Sequence, residues 1–203
     1  MGIVTDDSIY IVIRGTESLS EGGLKDWSSN LKAHESAFRT ASKAFSQGET
    51  KTEKIGNALQ AFKRHSGKSG FYGIAAHPGF AAAARSILSQ VLDIVRIYQG
   101  QKKIIVIGHS LGGAIAVLLA VAIARYSLGA ELGSRSCSLY TYGQPRVSRR
   151  RQLNLALRGV EYLRIQNGAD IVARIPKVGY SHAGTNIYLR RKAAQGASSV
   201  ERY

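Results

Sequence analysis

Gly108-His109-Ser110-Leu111-Gly112 sets a serine hydroxyl between two glycines, at the join of two apolar runs, Lys103 to Ile107 and Gly112 to Tyr126. Where a strand turns sharply into a helix, this pattern makes a nucleophile elbow: a serine held in strained backbone, with small residues on either side. Gly108, Gly112 and Gly113 supply that room. The dipole of the following helix points at the place where an oxyanion would develop, and the N–H of Leu111 is the nearest donor to it. The competing reading is a glycine-rich turn with an incidental serine, which needs no partners. A nucleophile does need them, because a serine hydroxyl attacks poorly until a base takes its proton.

On this kind of elbow the partners follow the serine in the order acid, then histidine. His34, His65, His77 and His109 all precede Ser110, which leaves His182 as the predicted base. Asp170 is the only aspartate after Ser110, in Asn167-Gly168-Ala169-Asp170 at the end of a predicted strand, where the active-site loops of open α/β sheets gather. Glu131 and Glu161 are the fallback acids. The expected chemistry is acyl transfer by Ser110, His182 and Asp170, with no cofactor. His109 and His77 read as scaffold, since geometry rather than closeness in sequence makes a base.

The elements that must position these groups alternate. Ser8 to Ile13 reads as a short β-branched strand ending at the Arg14-Gly15-Thr16 corner. Ala81 to Tyr98 carries Ile87, Val91, Ile94, Val95 and Tyr98 at helical spacing. Lys103 to Ile107 reads as a buried strand, and Gly112 to Tyr126 as a helix apolar nearly all round. Ser138 to Tyr142, Glu161 to Ile165 and Thr185 to Leu189 read as further strands, with Arg149 to Leu157 helical between the first two. The fold class is therefore α/β, a central mostly parallel sheet flanked by helices. One domain is expected over residues 1–190, with an insertion at about 34–70 and a frayed tail at 191–203.

Composition narrows the class. The 203 residues, 44% of them hydrophobic, suffice for one core. The lone Cys137 forms no internal disulfide, and no Cys/His cluster stands at metal-ligand spacing, so no metal site is expected. The longest apolar run, Ala114 to Ala124, is well short of the roughly 20 residues that cross a bilayer. The first residues lack the pattern of a signal peptide, which suggests a cytoplasmic chain or one exported by another route. A formal charge of +15 favours anionic surfaces. Acidic phospholipid is preferred over nucleic acid because the basic runs at 51–68, 146–151 and 190–192 lack interleaved aromatic pairs.

Several separated motifs together resemble the fungal-lipase-like class 3 lipases of the α/β-hydrolase superfamily. They are Arg14-Gly15-Thr16, Asp26-Trp27 with Asn30-Leu31, His77-Pro78-Gly79-Phe80, and Gly108 to Gly113. Downstream stand Tyr142-Gly143-Gln144-Pro145-Arg146-Val147, Asp170-Ile171-Val172 with Arg174 and Pro176, and Tyr180-Ser181-His182-Ala183-Gly184. The resemblance implies an oxyanion hole formed by Thr16 and Leu111, and a lid that includes Trp27. It offers no template for residues 36–70, which are longer and more basic than that stretch usually is in the family. The function expected is hydrolysis of fatty-acyl esters of glycerolipids, phospholipids among them, at an anionic membrane surface touched peripherally. The alternatives are a non-catalytic basic module binding lipid or nucleic acid on a hydrolase scaffold, and a soluble short-chain carboxylesterase.

Overall fold

The computed structural model describes residues 2–15, 70–98, 101–129, 137–191 and 198–202. The expectations for Thr16, Trp27 and nearly all of the 34–70 insertion fall outside them. The strands are β1 (Gly2–Val4), β2 (Ser8–Ile13), β3 (Gly70–Phe71), β4 (Ile74–Ala75), β5 (Lys103–His109), β6 (Cys137–Tyr142), β7 (Glu161–Asn167), β8 (Thr185–Arg191) and β9 (Ser198–Arg202). The helices are α1 (Pro78–Ile97), α2 (Leu111–Gly129) and α3 (Arg150–Ala156), with a 3-10 turn at Val172–Arg174.

Seven strands form one sheet in the order β1-β2-β5-β6-β7-β8-β9, and β3 pairs with β4 separately. The five inner strands, β2, β5, β6, β7 and β8, run parallel, as expected of strand-helix alternation. The outer strands β1 and β9 are antiparallel to their neighbours. With the inner strands parallel, all their C-terminal ends lie along one rim of the sheet, and β5 delivers Ser110 to that rim.

The position of α2 explains its composition. It lies on β2, β5 and β6, while α1 packs over it and α3 touches its flank. Every residue from Ala114 to Ile123 is consequently buried, so no polar face is needed. α1 has solvent on its far side and shows the one-sided pattern instead: Phe80, Ala81, Ala84, Val91 and Val95 are buried, while Ile97 at its end is 69% exposed.

Two features depart from the sequence reading. Residues 198–202, assigned to a frayed tail, form β9, paired in register Ile187↔Arg202 to Arg191↔Ser198. The backbone groups of β8 along that edge supply hydrogen bonds to any extended chain, so a strand with one apolar residue can form there without hydrophobic alternation. β1 is likewise too short and exposed to read from pattern. It is set by the turn before β2, where the Thr5 N–H donates to the Ser8 carbonyl at 2.9 Å and the Ser8 N–H returns to the Thr5 hydroxyl at 3.2 Å. Among the described residues no helix is long and apolar enough to cross a membrane.

Because Leu119 of α2 is fully buried in the core, Leu119→Ala should lower the unfolding free energy by about 2–5 kcal/mol, read from the urea midpoint.

Candidate active site

The turn from β5 into α2 allows almost no lateral room. A Cβ on Gly112 would stand 2.4 Å from the Ile13 carbonyl oxygen, and one on Gly108 would stand 2.4 Å from the Gly112 carbonyl oxygen. Strand, helix and the end of β2 therefore touch through backbone. Between the two glycines, Ser110 is left with φ +52°, a left-handed conformation that costs a non-glycine residue about 1–3 kcal/mol. The surroundings hold it there. Its N–H donates to the Tyr142 carbonyl at the end of β6, 2.9 Å away, and its own carbonyl accepts from the Gly113 N–H at 2.9 Å.

Leu111 is the first residue of α2, so its N–H has no carbonyl one turn earlier in the helix. The Arg14-Gly15 corner closes over the same point, since a Cβ on Gly15 would lie 3.2 Å from the Ser110 Cβ and 2.7 Å from the His109 carbonyl oxygen. The pairing of Ile13 with Gly108 puts it there. The residue after this corner is Thr16.

Asp170 reaches the same rim from β7. Its Oδ1 accepts the Val172 N–H at 2.9 Å, and its own N–H donates to the Asn167 carbonyl at 3.1 Å. The other oxygen, Oδ2, fills the space beside Gly143, 2.6 Å from where a Cβ would be. Gly143 follows Tyr142, the residue that holds the Ser110 N–H. The structure thus brings Ser110 and Asp170 to one rim, with the Tyr142-Gly143 turn between them. Sequence reasoning quoted that turn without giving it a role. A glycine directly after a strand end was the available signal, and here its φ is +56°.

His182 is not brought to either of them. Its Nε2 donates to the Ala173 carbonyl at 2.6 Å, and its buried Nδ1 has no hydrogen-bond partner. Topology supplies the reason. His182 lies three residues before β8, whose Thr185 pairs with Leu163 near the start of β7. A residue entering a parallel strand stands at the opposite rim from one leaving it, and Ser110 leaves β5. Elimination by chain order could not detect this, because order carries no information about rims. Burial above all, together with the positive charge of Arg164 and then of Arg146 and Arg150, pushes the His182 ring down to about 4, opposed by its bond to Ala173. His77 is also buried, its ring 4.5 Å from that of Phe80 and 5.6 Å from that of Tyr180, which fits a scaffold role. No group of His, Cys, Asp and Glu able to hold a metal occurs among the described residues.

Comparison with known proteins places this geometry. The family described as Lipase (class 3) matches residues 10–180. A lipase from Rhizomucor miehei is 36% identical over 124 residues, which are 58% of this chain and 33% of that protein. A phospholipase A1-II 1 from Oryza sativa subsp. indica is 32% identical over 114 residues, 53% of this chain and 28% of that one. Among solved structures, a fungal lipase–inhibitor complex superposes with a TM-score of 0.57 at 29% identity, covering 91% of this chain and 58% of that one. The chain spans about a third of the length of the curated relatives it matches.

The His182 environment makes a pH prediction. Folding favours the neutral ring, so the unfolded chain binds the proton more readily, and the stability carried by His182 is complete above about 6.5 and lost as pH falls from there toward about 4. With each pH unit worth about 1.4 kcal/mol, the loss across that window is on the order of 3 kcal/mol. Urea unfolding between these limits should show it, and His182→Gln should flatten the profile.

Proposed function

Because the chain belongs to the class 3 lipase family, we propose that it is an acyl-ester hydrolase acting on fatty-acyl esters of glycerolipids, with Ser110 as the nucleophile. The observation that carries this is the strained Ser110 at φ +52°, with the first N–H of α2 beside it and the Gly15 corner closing on its Cβ. In this reading Ser110 Oγ attacks the ester carbonyl carbon as a base removes its proton. The tetrahedral oxyanion accepts hydrogen bonds from the N–H of Leu111 and from Thr16, which follows the Gly15 corner. Collapse expels the alcohol, which takes a proton from the base, and water then releases the fatty acid from the acyl-enzyme by the same two steps. Among the described residues, Asp170 is the carboxylate on that rim that can orient the base and offset its charge. The formal +15 inclines the substrate toward anionic phospholipid over neutral triglyceride, since basic side chains concentrate a protein at an anionic bilayer by about 1 kcal/mol each.

His182, the base put forward by chain order, would have to leave the Ala173 carbonyl and cross toward the other rim to serve. We therefore assign it to anchoring the segment after Asp170. The same observation favours a second reading, a lipid-binding module on a hydrolase scaffold, in which no histidine among the described residues completes the site.

Fatty-acid release from anionic phospholipid vesicles and from a triglyceride emulsion tests both. Release by the unmodified chain that drops at least about 10³-fold in Ser110→Ala, at unchanged Tm, is the expected result. Release that survives in part in His182→Gln supports the anchor role, whereas a loss equal to that of Ser110→Ala would make His182 the base. No release from either substrate favours the binding module.

A further inference from the structure

The last third of the chain, from Cys137 onward, has twelve Lys and Arg residues but only three acids, Glu161, Asp170 and Glu201. Two of these acids are already engaged. The Glu161 carboxylate accepts from the Ser138 hydroxyl at 2.8 Å and the Tyr140 hydroxyl at 3.1 Å, and Asp170 is held on the Val172 N–H. The side chain of Glu201 lies outside the described residues.

In this setting Arg164 is buried in the middle of the sheet, 8% exposed. In register it stands between Thr141 on β6 and Asn186 on β8. Its Nε donates to the Ala183 carbonyl at 3.4 Å, and neither terminal nitrogen has a partner among the described residues. Asn186 Oδ1, in the same row, is itself buried and without a partner, so the neighbouring amide does not satisfy the guanidinium. A buried cation without a counter-charge is costly to fold around. Burial above all pulls the Arg164 guanidinium below its ordinary value, opposed by Tyr162 and reinforced by the like charges of Arg150 and Arg146.

Those two arginines come from the segment that runs past 181–183. The Arg150 N–H donates to the Ser181 hydroxyl at 2.6 Å, and its guanidinium has no partner among the described residues. Arg146 Nη1 makes only long contacts, 3.5 Å each, to the carbonyls of Pro176 and Lys177. An open cleft of about 580 Å³ is lined by Arg150, Glu161 and Tyr162 and by Ala183, whose carbonyl holds Arg164, so it reaches Arg150 directly and passes the segment on which Arg164 rests.

We propose that Arg146, Arg150 and the buried Arg164 form an anion site for a phosphate group. Guanidinium forks from two segments, Arg146 and Arg150 from one and Arg164 from β7, offer several donors that the chain itself leaves weakly used. A tetrahedral phosphate can accept on all of them, while a planar carboxylate is satisfied by one fork. The site does not depend on Ser110 or on ester hydrolysis.

Thermal unfolding of the whole chain, titrated with inorganic phosphate against acetate at matched ionic strength, tests the proposal. The expected result is a saturable rise in Tm with phosphate and none with acetate, the midpoint weakening at least tenfold in Arg150→Gln and in Arg164→Met. Without phosphate, Arg164→Met should unfold at the original Tm or above it, because an unpaired buried charge is exchanged for an apolar side chain. Repeating the titration with dihexanoyl-phosphatidylglycerol separates the sources: a midpoint at least tenfold tighter than for phosphate marks a lipid headgroup, and an equal or weaker one marks a free phosphate. A Tm rise that is absent, equal with acetate, or unaltered in both variants overturns the site. So does a sharp fall in the Tm of Arg164→Met with no response to phosphate, which would mean that the guanidinium is paired within the chain.

Discussion

The backbone crossing between the end of β2, the end of β5 and the first turn of α2 governs the arrangement of the site. A side chain at Gly108 or Gly112 would meet main-chain atoms at 2.4 Å, so the three segments approach as bare backbone. At that separation α2 must leave β5 steeply, which drives Ser110 into positive φ and turns its side chain out at the rim. The same approach lays the Gly15 corner beside the serine. The proposed nucleophile, the helix N–H next to it and the Gly15 corner are thus consequences of one packing constraint, and the burial of Ala114 to Ile123 in α2 is what keeps the crossing closed.

The later part of the molecule adds polar anchoring to its apolar packing. The segment from Gly143 to Ser148 is tied to the 175–181 stretch by the Arg146 N–H on the Ile175 carbonyl and the Ser181 N–H on the Ser148 carbonyl. His182 on Ala173 and Tyr162 on Gln144, each at 2.6 Å, continue that framework. It positions Asp170 at the rim and keeps His182 neutral within a group of arginines. The excess of positive charge thereby acts inside the fold as well as on its surface.

Much of this was legible from residue types alone. The spacing of apolar residues located β2 to the residue and put α1, α2, β5, β6, β7 and β8 within a few positions of their observed ends, because buried elements must carry an apolar period whatever their neighbours are. The short edge strands β1 and β9 were not legible, since their stability comes from hydrogen bonds to a neighbour and leaves no mark on side-chain pattern. Asp170 could be placed because it ends a strand whose apolar signal is strong. Arg164 could not be distinguished from a surface arginine, as its burial depends on Thr141, Ala183 and Asn186, about twenty positions away in the chain.

The sequence by itself determined that a serine would stand on a sharp turn between a buried strand and a buried helix in a parallel α/β sheet, because glycines and unbroken apolar runs permit little else there. The tertiary structure alone decided which rim each later residue reaches. Whether a side chain enters or leaves a parallel strand is set by strand pairing, and that put Asp170 with Ser110 and His182 with Ala173.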